Sequence, residues 1–556
     1  LRAAAAAARR HAATPRGAGL IAAVITLLVV VLGPPGGDAA AHTYQTRLWR
    51  DHGWQLWDNL WYGGRYSQVN YSLLYYPLSA LVGTAVVVTA SVGVAAAAFA
   101  RLVRRHWPAH AEGSAVAAAF MLPLGAVAGT YPFLLGLAFA LCVLVALDAR
   151  RLVLASLLVL PTTLAHPLAM VFLVVVLGAF AVSHRGWWRS GGHLRFAAAV
   201  AAVVALQTVL IKAFDTEGAH YPFDWKDAVA IVAFCGAGLL LTRGLPDQRA
   251  LLAVFAGYGL LTAASFVLSS PIGGNVVRLL LLLGAPLLLI PLAARGFRPR
   301  GIAVACLAAA LSWQALPAVA GWRTATEARA AQQDFWYPAI GFLEAHGDPN
   351  HRVEVVATAD NWEALYLAER GVPLARGWFR QDDFPANAAL YRQTLNGRAY
   401  RAWLRRVGVR YVLLPNDPLD YSARHEADLL RGGRSGLRIV ADVGGWTVYE
   451  LPDATPIVTP AAHARVVRLT SDRLVLRVDR PGTYRVRVRY TPYWSVTGGG
   501  RAACARPVRP WGTELRVRRP GTVVMRFDVG ISKLVGAVLG DEGGCAPPPS
   551  VQAIGR

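Results

Sequence analysis

The sequence predicts a polytopic α-helical membrane protein with about eleven spans, followed by an α/β domain and a β-sandwich outside the membrane. Three observations predict it. The chain has 556 residues, 55% of them hydrophobic, with mean hydropathy +0.38. Apolar runs long enough to cross a bilayer recur up to residue 322. Beyond that point hydropathy falls and short alternating segments replace the runs.

The spans read as 17–34, 73–98, 114–129, 132–148, 152–165, 167–183, 196–213, 227–242, 250–268, 276–294 and 301–319. The first is expected to be a retained span, because no small-residue cleavage site follows Leu32. Arginines set the orientation. Arg2, Arg9, Arg10 and Arg16 precede the first span. Arg101, Arg104 and Arg105, then Arg150 and Arg151, then Arg185, Arg189 and Arg195, then Arg243 and Arg249, then Arg295, Arg298 and Arg300 follow the even-numbered spans. All fall on one side, which predicts a plasma-membrane protein with a cytoplasmic N-terminus and an extracytoplasmic C-terminal part.

The formal net charge of +23 is almost wholly arginine, since Lys212, Lys226 and Lys533 are the only lysines. With abundant Ala and Gly this composition suggests a GC-rich, actinobacterial genome. No nucleic-acid-binding motif is present, so nucleic acid is not an expected partner. Cys142, Cys235 and Cys306 lie in apolar runs and read as packing residues. Cys504 and Cys545 lie in the C-terminal part, where a disulfide is allowed outside the cytoplasm.

Residues 323–455 read as a small α/β domain, with strands at Val353–Ala357, Val409–Leu414 and Trp446–Leu451 and a helix at Tyr400–Val407. Residues 456–540 read as the β-sandwich. There Tyr484, Val486 and Val488 alternate with Arg485, Arg487 and Arg489. The basic outer part suits anionic envelope polymers or lipid head groups. The segment 541–556 reads as a flexible tail.

The first outer loop, 35–72, is the most informative stretch. Asp38 and His42 follow the first span, and Trp57-Asp58-Asn59-Leu60-Trp61-Tyr62-Gly63-Gly64-Arg65-Tyr66 and Tyr75-Tyr76-Pro77 come after. Trp49, Trp54, Trp57 and Trp61 are expected to anchor short helices in the bilayer interface. A carboxylate at a membrane surface needs a partner or a task. Under this topology Asp38, His42, Asp58, Arg65, Tyr131, His166, Lys212, Asp215, Glu217, His220, Asp224, Asn275 and Arg278 all face outward. Such a one-sided polar set is what an outward-facing membrane enzyme requires.

An acid directly after the first span, a long first outer loop with W-D-x-x-W-Y-G-G and a Tyr-Pro opening of the second span resemble the GT-C superfamily of membrane glycosyltransferases. The soluble part, with Trp403-Leu404-Arg405-Arg406-Val407-Gly408-Val409-Arg410-Tyr411-Val412-Leu413 and a late Tyr493-Trp494, is similar to large bacterial membrane proteins of the YfhO type. The resemblance implies sugar transfer from a polyprenyl-phosphate donor to an envelope glycan or lipid acceptor. It puts Asp38 at the loop-one acid, with His42 and Asp58 as further catalytic candidates. It makes Arg278, Lys212, Asn275, Arg65, His166 and Tyr131 the candidates for holding donor and lipid phosphate. Asp-x-x-x-His replaces the stricter acidic pair of many members, which leaves a divalent cation open. Two other classes fit the spans: a transporter or lipid flippase, and a non-catalytic envelope scaffold that binds polymer or a partner enzyme.

Overall fold

The computed structural model describes residues 10–183, 186, 191–215, 219–245, 248–392, 394–501, 503–509, 511–541 and 543–545. The expectations for Arg2, Arg9, Arg185, Arg189, Glu217 and most of the tail lie outside these residues. The chain forms two compact units. The first comprises Leu1–Gly53, Tyr71–Thr208 and Gly218–Ala331. The second comprises Trp54–Asn70, Val209–Glu217 and Gln332–Arg556.

Among the described residues, nine helices are long and apolar enough to cross a membrane: Pro15–Leu32, Thr84–His106, Pro108–Val127, Tyr131–Asp148, Gly191–Ala213, Trp225–Thr242, Gln248–Val267, Gly273–Ala294 and Arg300–Glu327. The shorter apolar helices Leu152–Ala165 and Pro167–Ser183 occupy two further hydropathy segments. Between these two, His166 is extended (φ −164°, ψ 122°), as the residue before a proline prefers. The second segment is not one helix. Gly83, at φ +91°, divides it into Tyr75–Val82 and Thr84–His106. Small residues let helices approach within the first unit. A Cβ on Gly19 would lie 2.9 Å from the Gly93 carbonyl oxygen of Thr84–His106. The last long helix runs to Glu327, beyond the hydropathy limit at 322. Hydropathy marks where a chain suits lipid, whereas helical hydrogen bonding continues here past Pro317 and Gly321 into the polar segment 323–327.

In the second unit, β1 (Trp57–Asp58) and β2 (Arg65–Tyr66) form a hairpin. Then β3 (Arg352–Val355), β4 (Val409–Pro415), β5 (Arg438–Val443) and β6 (Trp446–Glu450) make a sheet of order β3-β4-β6-β5. The β3–β4 pair is parallel, so a helical crossover must join the two strands. Its last helix, Gly397–Val407, is capped by Asn396 and stops at Gly408 in the left-handed region. Tyr400, Trp403, Leu404 and Val407 pack inward from it at helical spacing. Two four-stranded antiparallel sheets follow, ordered β12-β13-β10-β7 and β11-β14-β9-β8. Their strands are β7 (Val458–Thr459), β8 (Ala464–Leu469), β9 (Arg473–Val478), β10 (Gly482–Val486), β11 (Trp494–Gly498), β12 (Cys504–Pro507), β13 (Thr513–Val517) and β14 (Gly521–Phe527). Cys504 and Cys545 form a disulfide.

The expectation that Trp57 and Trp61 anchor a membrane interface is corrected here. They are 2% and 0% exposed and lie in the core of the second unit. Trp57 stacks on Phe527 and meets Trp494 edge-on, while the Trp61 indole donates to the Ala364 carbonyl at 3.0 Å. The same residue types serve both settings, because Trp and Tyr carry a large apolar body and one polar atom.

The core of the mixed sheet holds charge. Arg376 donates from Nε to Glu354 at 2.7 Å and from Nη2 to Glu426 at 3.0 Å. The Tyr400 hydroxyl donates to the other Glu426 oxygen at 2.6 Å. Nearby in sequence, Glu363 accepts from the Thr358 hydroxyl at 2.7 Å. Burial pushes the Glu363 carboxyl up to about 7, against the lowering effect of Thr358. A carboxyl that binds its proton more tightly when folded stabilises fully below its unfolded pKa. That contribution is lost as pH rises from about 4.5 to about 7, and amounts to about 3 kcal/mol. Comparing denaturant midpoints of wild type and Glu363→Gln across this window should show a falling wild-type curve. The variant curve should be flatter by that amount, and parallel curves would refute the assignment.

Candidate functional site

The first unit assembles a polar group around Asp38. Gly36 and Gly37 lead into Asp38, which stands at the N-terminal cap of the helix Ala39–His52. This turn lies directly on a second one. The Asp38 N–H donates to the Ala128 carbonyl at 3.3 Å. A Cβ on Gly36 would meet Gly129 N at 2.6 Å, and one on Gly129 (φ +78°) would meet Asp38 N at 2.6 Å. Glycine is therefore required on both sides of the approach. Neither glycine stands out in the sequence, because the signal is a contact about ninety residues apart in the chain. Gly129→Ala is expected to displace Asp38 and reduce whatever activity Asp38 supports about 10²-fold while leaving the helices intact. Activity together with far-UV circular dichroism checks this.

Arg278 reaches Asp38 from the other side. It opens the helix Arg278–Ala294 after the 3₁₀ turn Gly273–Val277. That turn is seated against residues 221 and 222: Tyr221 N–H donates to Ser270 O at 3.0 Å, and a Cβ on Gly273 would collide with the Tyr221 carbonyl oxygen. Arg278 Nη2 lies 3.9 Å from Asp38 Oδ2, a loose pair at 16% and 23% side-chain exposure. Its Nη1 is buried and has no hydrogen-bond partner among the described residues.

His166 is the third member. Its Nδ1 accepts from Leu168 N–H at 3.2 Å, which assigns the proton to Nε2. That Nε2 is likewise buried without a partner among the described residues. Phe133 joins the two donors: its ring lies 5.6 Å from the Arg278 guanidinium and 5.5 Å from the His166 ring. Tyr71 packs edge-on against His166 at 5.0 Å. Two N–H donors without a partner among the described residues, one of them on the guanidinium that faces Asp38, have the chemistry to hold an anion.

His42 does not fit the catalytic role expected of it. Its ring is packed by Tyr71, Tyr75, Tyr76 and Tyr131 at centroid distances of 5.4 to 6.0 Å. Burial, then the Arg278 charge, pulls its imidazole down to about 3. A group so far below neutral pH is a weak base there. His42 is therefore neutral at pH 7, with the Tyr131 ring packed 5.8 Å from it. Asn275 contributes backbone, its carbonyl accepting from the Arg278 N–H. Asp224 caps the helix Trp225–Thr242 through a bond from Lys226 N–H at 2.8 Å.

Asp58, Arg65, Lys212 and Asp215 belong to the second unit. Asp58 is fully buried, and its Oδ1 accepts from Leu60 N–H at 2.9 Å, closing the hairpin turn. Arg65 pairs with Asp382 at 2.6 Å and stacks 3.4 Å over Phe379. These bonds give both residues structural work in the core of that unit. Lys212 and Asp215 are exposed at the end of the helix Gly191–Ala213. No group of three or more His, Cys, Asp or Glu among the described residues is placed to hold a metal ion. With a guanidinium beside the Asp38 carboxylate, the donor set does not fit a divalent cation.

Known proteins can now be set beside this arrangement. The chain is similar to the arabinofuranosyltransferase AftD from Mycobacteria, at 14% identity and TM-score 0.44, covering 93% of this chain and 57% of that one. It is similar to the R1389S mutant of the same enzyme, at 16% identity and TM-score 0.43, covering 88% and 43%. It is also similar to the oligosaccharyltransferase AglB of Archaeoglobus fulgidus in complex with an inhibitory peptide and a dolichol-phosphate. There identity is 12% and TM-score 0.41, over 82% of this chain and 79% of that one. The chain thus spans about half the length of the mycobacterial chains. No family model matches it, and no curated protein matches its sequence. At TM-scores below 0.5 these likenesses assign no activity, which rests on the residues themselves.

Proposed function

We propose that this protein is a GT-C-type membrane glycosyltransferase that moves a sugar from a polyprenyl-phosphate donor to an envelope glycan or lipid acceptor on the outer face. The observation that carries the reading is the Asp38 carboxylate 3.9 Å from Arg278, whose Nη1 has no hydrogen-bond partner among the described residues, with the Phe133 ring lying against both that guanidinium and the His166 ring. Asp38 takes the proton of the acceptor hydroxyl as its oxygen attacks the anomeric carbon. The bond from that carbon to the phosphate oxygen breaks, and the electron pair stays on the phosphate. Arg278 and His166 stabilise the charge that develops there. The membrane-length helices that make up most of the same unit favour a leaving group that carries a lipid chain. The Cys504–Cys545 disulfide supports an oxidising compartment for the second unit, and with the arginine bias it favours a cytoplasmic N-terminus.

The test uses purified protein in lipid with polyprenyl-phosphate arabinose, mannose, glucose and galactose, together with envelope glycan acceptors. Release of polyprenyl phosphate is followed for wild type and for Asp38→Asn. Turnover abolished by the substitution supports the reading. Donor binding with unaided lipid translocation in both proteins would favour the flippase. No donor binding would favour the scaffold.

A further inference from the structure

Tyr258 lies in the apolar helix Gln248–Val267 of the first unit, where a tyrosine hydroxyl needs partners. The residue is 1% exposed. Its ring packs edge-on against Phe172 at 6.1 Å and Phe234 at 6.3 Å. Its hydroxyl donates to the Val276 carbonyl at 2.7 Å and accepts from the Leu280 N–H at 3.3 Å. Those backbone groups flank Arg278, one on each side of it in the chain.

In an uninterrupted α-helix the N–H of residue i donates to the carbonyl of residue i−4, so Leu280 and Val276 would bond each other. The Tyr258 hydroxyl takes both ends of that bond. A side chain inserted into the ladder in this way holds the turn open and bends the chain there. The local backbone agrees. Gly273–Val277 is a 3₁₀ turn, and the Arg278 N–H still follows its pattern by donating to the Asn275 carbonyl. The α-helix begins at Arg278. Arg278 is thus the residue at which the two helix types meet, inside the opened turn.

We propose, resting on the sugar transfer inferred above, that Tyr258 is a positioning residue for Arg278: its hydroxyl keeps the turn 276–280 open, and the open turn aims the guanidinium at Asp38 and the leaving phosphate. Both bonds of the hydroxyl go to backbone, so Tyr258 acts through Arg278 and not on the substrate. The approach it maintains is loose, with Arg278 3.9 Å from Asp38 and 5.6 Å from the Phe133 ring. Without the hydroxyl, Val276 and Leu280 bond each other, the turn tightens and the guanidinium is re-aimed. Misplacing a catalytic group by about 1 Å costs about 10²-fold in rate.

The test uses the purified full chain in lipid. The probe is whichever donor wild type turns over among polyprenyl-phosphate arabinose, mannose, glucose and galactose. Single-turnover release of polyprenyl phosphate is measured for wild type, Tyr258→Phe, Arg278→Gln and the double variant, with Asp38→Asn alongside. Phenylalanine keeps the ring packing, and the backbone groups it frees are each other's ordinary helical partners, so the variant should fold. Thermal unfolding checks that. Tyr258→Phe is expected to slow release by about 10–10²-fold. Added to Arg278→Gln it should cost no more than about twofold, because nothing is left to position. An equal loss in both backgrounds would show that Tyr258 acts by another route. A Tyr258→Phe rate within about twofold of wild type would show that it positions nothing. A Tyr258→Phe chain that does not fold would make the residue structural. Each of these overturns the proposal while a dead Asp38→Asn leaves the sugar transfer standing. Asp38→Asn as fast as wild type, or no turnover with any donor, would overturn the sugar transfer and this role with it.

Discussion

Arg278→Gln should slow release of polyprenyl phosphate by about 10²–10³-fold, with the helical unit still folded. The Arg278 guanidinium stands 3.9 Å from Asp38, and its Nη1 has no partner among the described residues. Charge appears on the phosphate as the sugar departs, so a half-buried guanidinium beside it acts mainly in the transition state. The loss is therefore expected in the single-turnover rate rather than in donor affinity. Arg278→Lys should restore only part of it, because an ammonium supplies a point charge without the planar fork. Single-turnover kinetics with radiolabelled donor measure both. A glutamine variant within a few-fold of wild type would remove Arg278 from the chemistry and with it the proposed anion site.

Arg376→Ala should unfold the second unit, at a cost of about 3–5 kcal/mol. Glu354 and Glu426 are both fully buried, and Arg376 is the cation that touches each of them. Burial raises both carboxyls, and Arg376 opposes that rise. Without it, two uncompensated acids share one core. Glu354 Oε2 already lacks a partner among the described residues, so no bond is held in reserve there. Replacing the whole set with apolar residues, Glu354→Leu, Arg376→Met and Glu426→Leu together, should recover much of the loss, since desolvation of all three charges is then avoided. Hydrogen exchange at the amides of β3 and β4 in the full chain reports the difference. Equal protection in wild type and Arg376→Ala would show that the charge set does not hold this core.

Much of the fold is legible in the sequence because its causes are local. A run such as 276–294 is apolar over the length of a bilayer, and the chain forms a helix over Gly273–Ala294. Tyr484 and Val486 alternate with Arg485, and they form β10 with the arginine outward. The acid after the first span is conspicuous for an equally local reason, a carboxylate at a lipid boundary.

The site was only partly legible. Asp38, His166 and Arg278 are separated by more than a hundred residues each, and only tertiary packing brings them to one place. The glycines that allow this, Gly36 and Gly129, act through a backbone contact that no local pattern records. The aromatic loop misleads for the opposite reason. Trp57, Asp58, Trp61 and Arg65 have the composition of a membrane-surface motif, yet the chain folds them into the second unit around Phe527, Ala364 and Asp382. An indole is stabilised by any apolar surroundings that also satisfy its N–H, whether lipid or protein. Sequence alone thus determined where most helices and strands lie, though not the break at Gly83 or the reach of the last long helix to Glu327, because hydropathy and periodicity are properties of neighbouring residues. Only the tertiary structure decided which polar groups share a site and which aromatics fill a core, because both depend on partners far away in the chain.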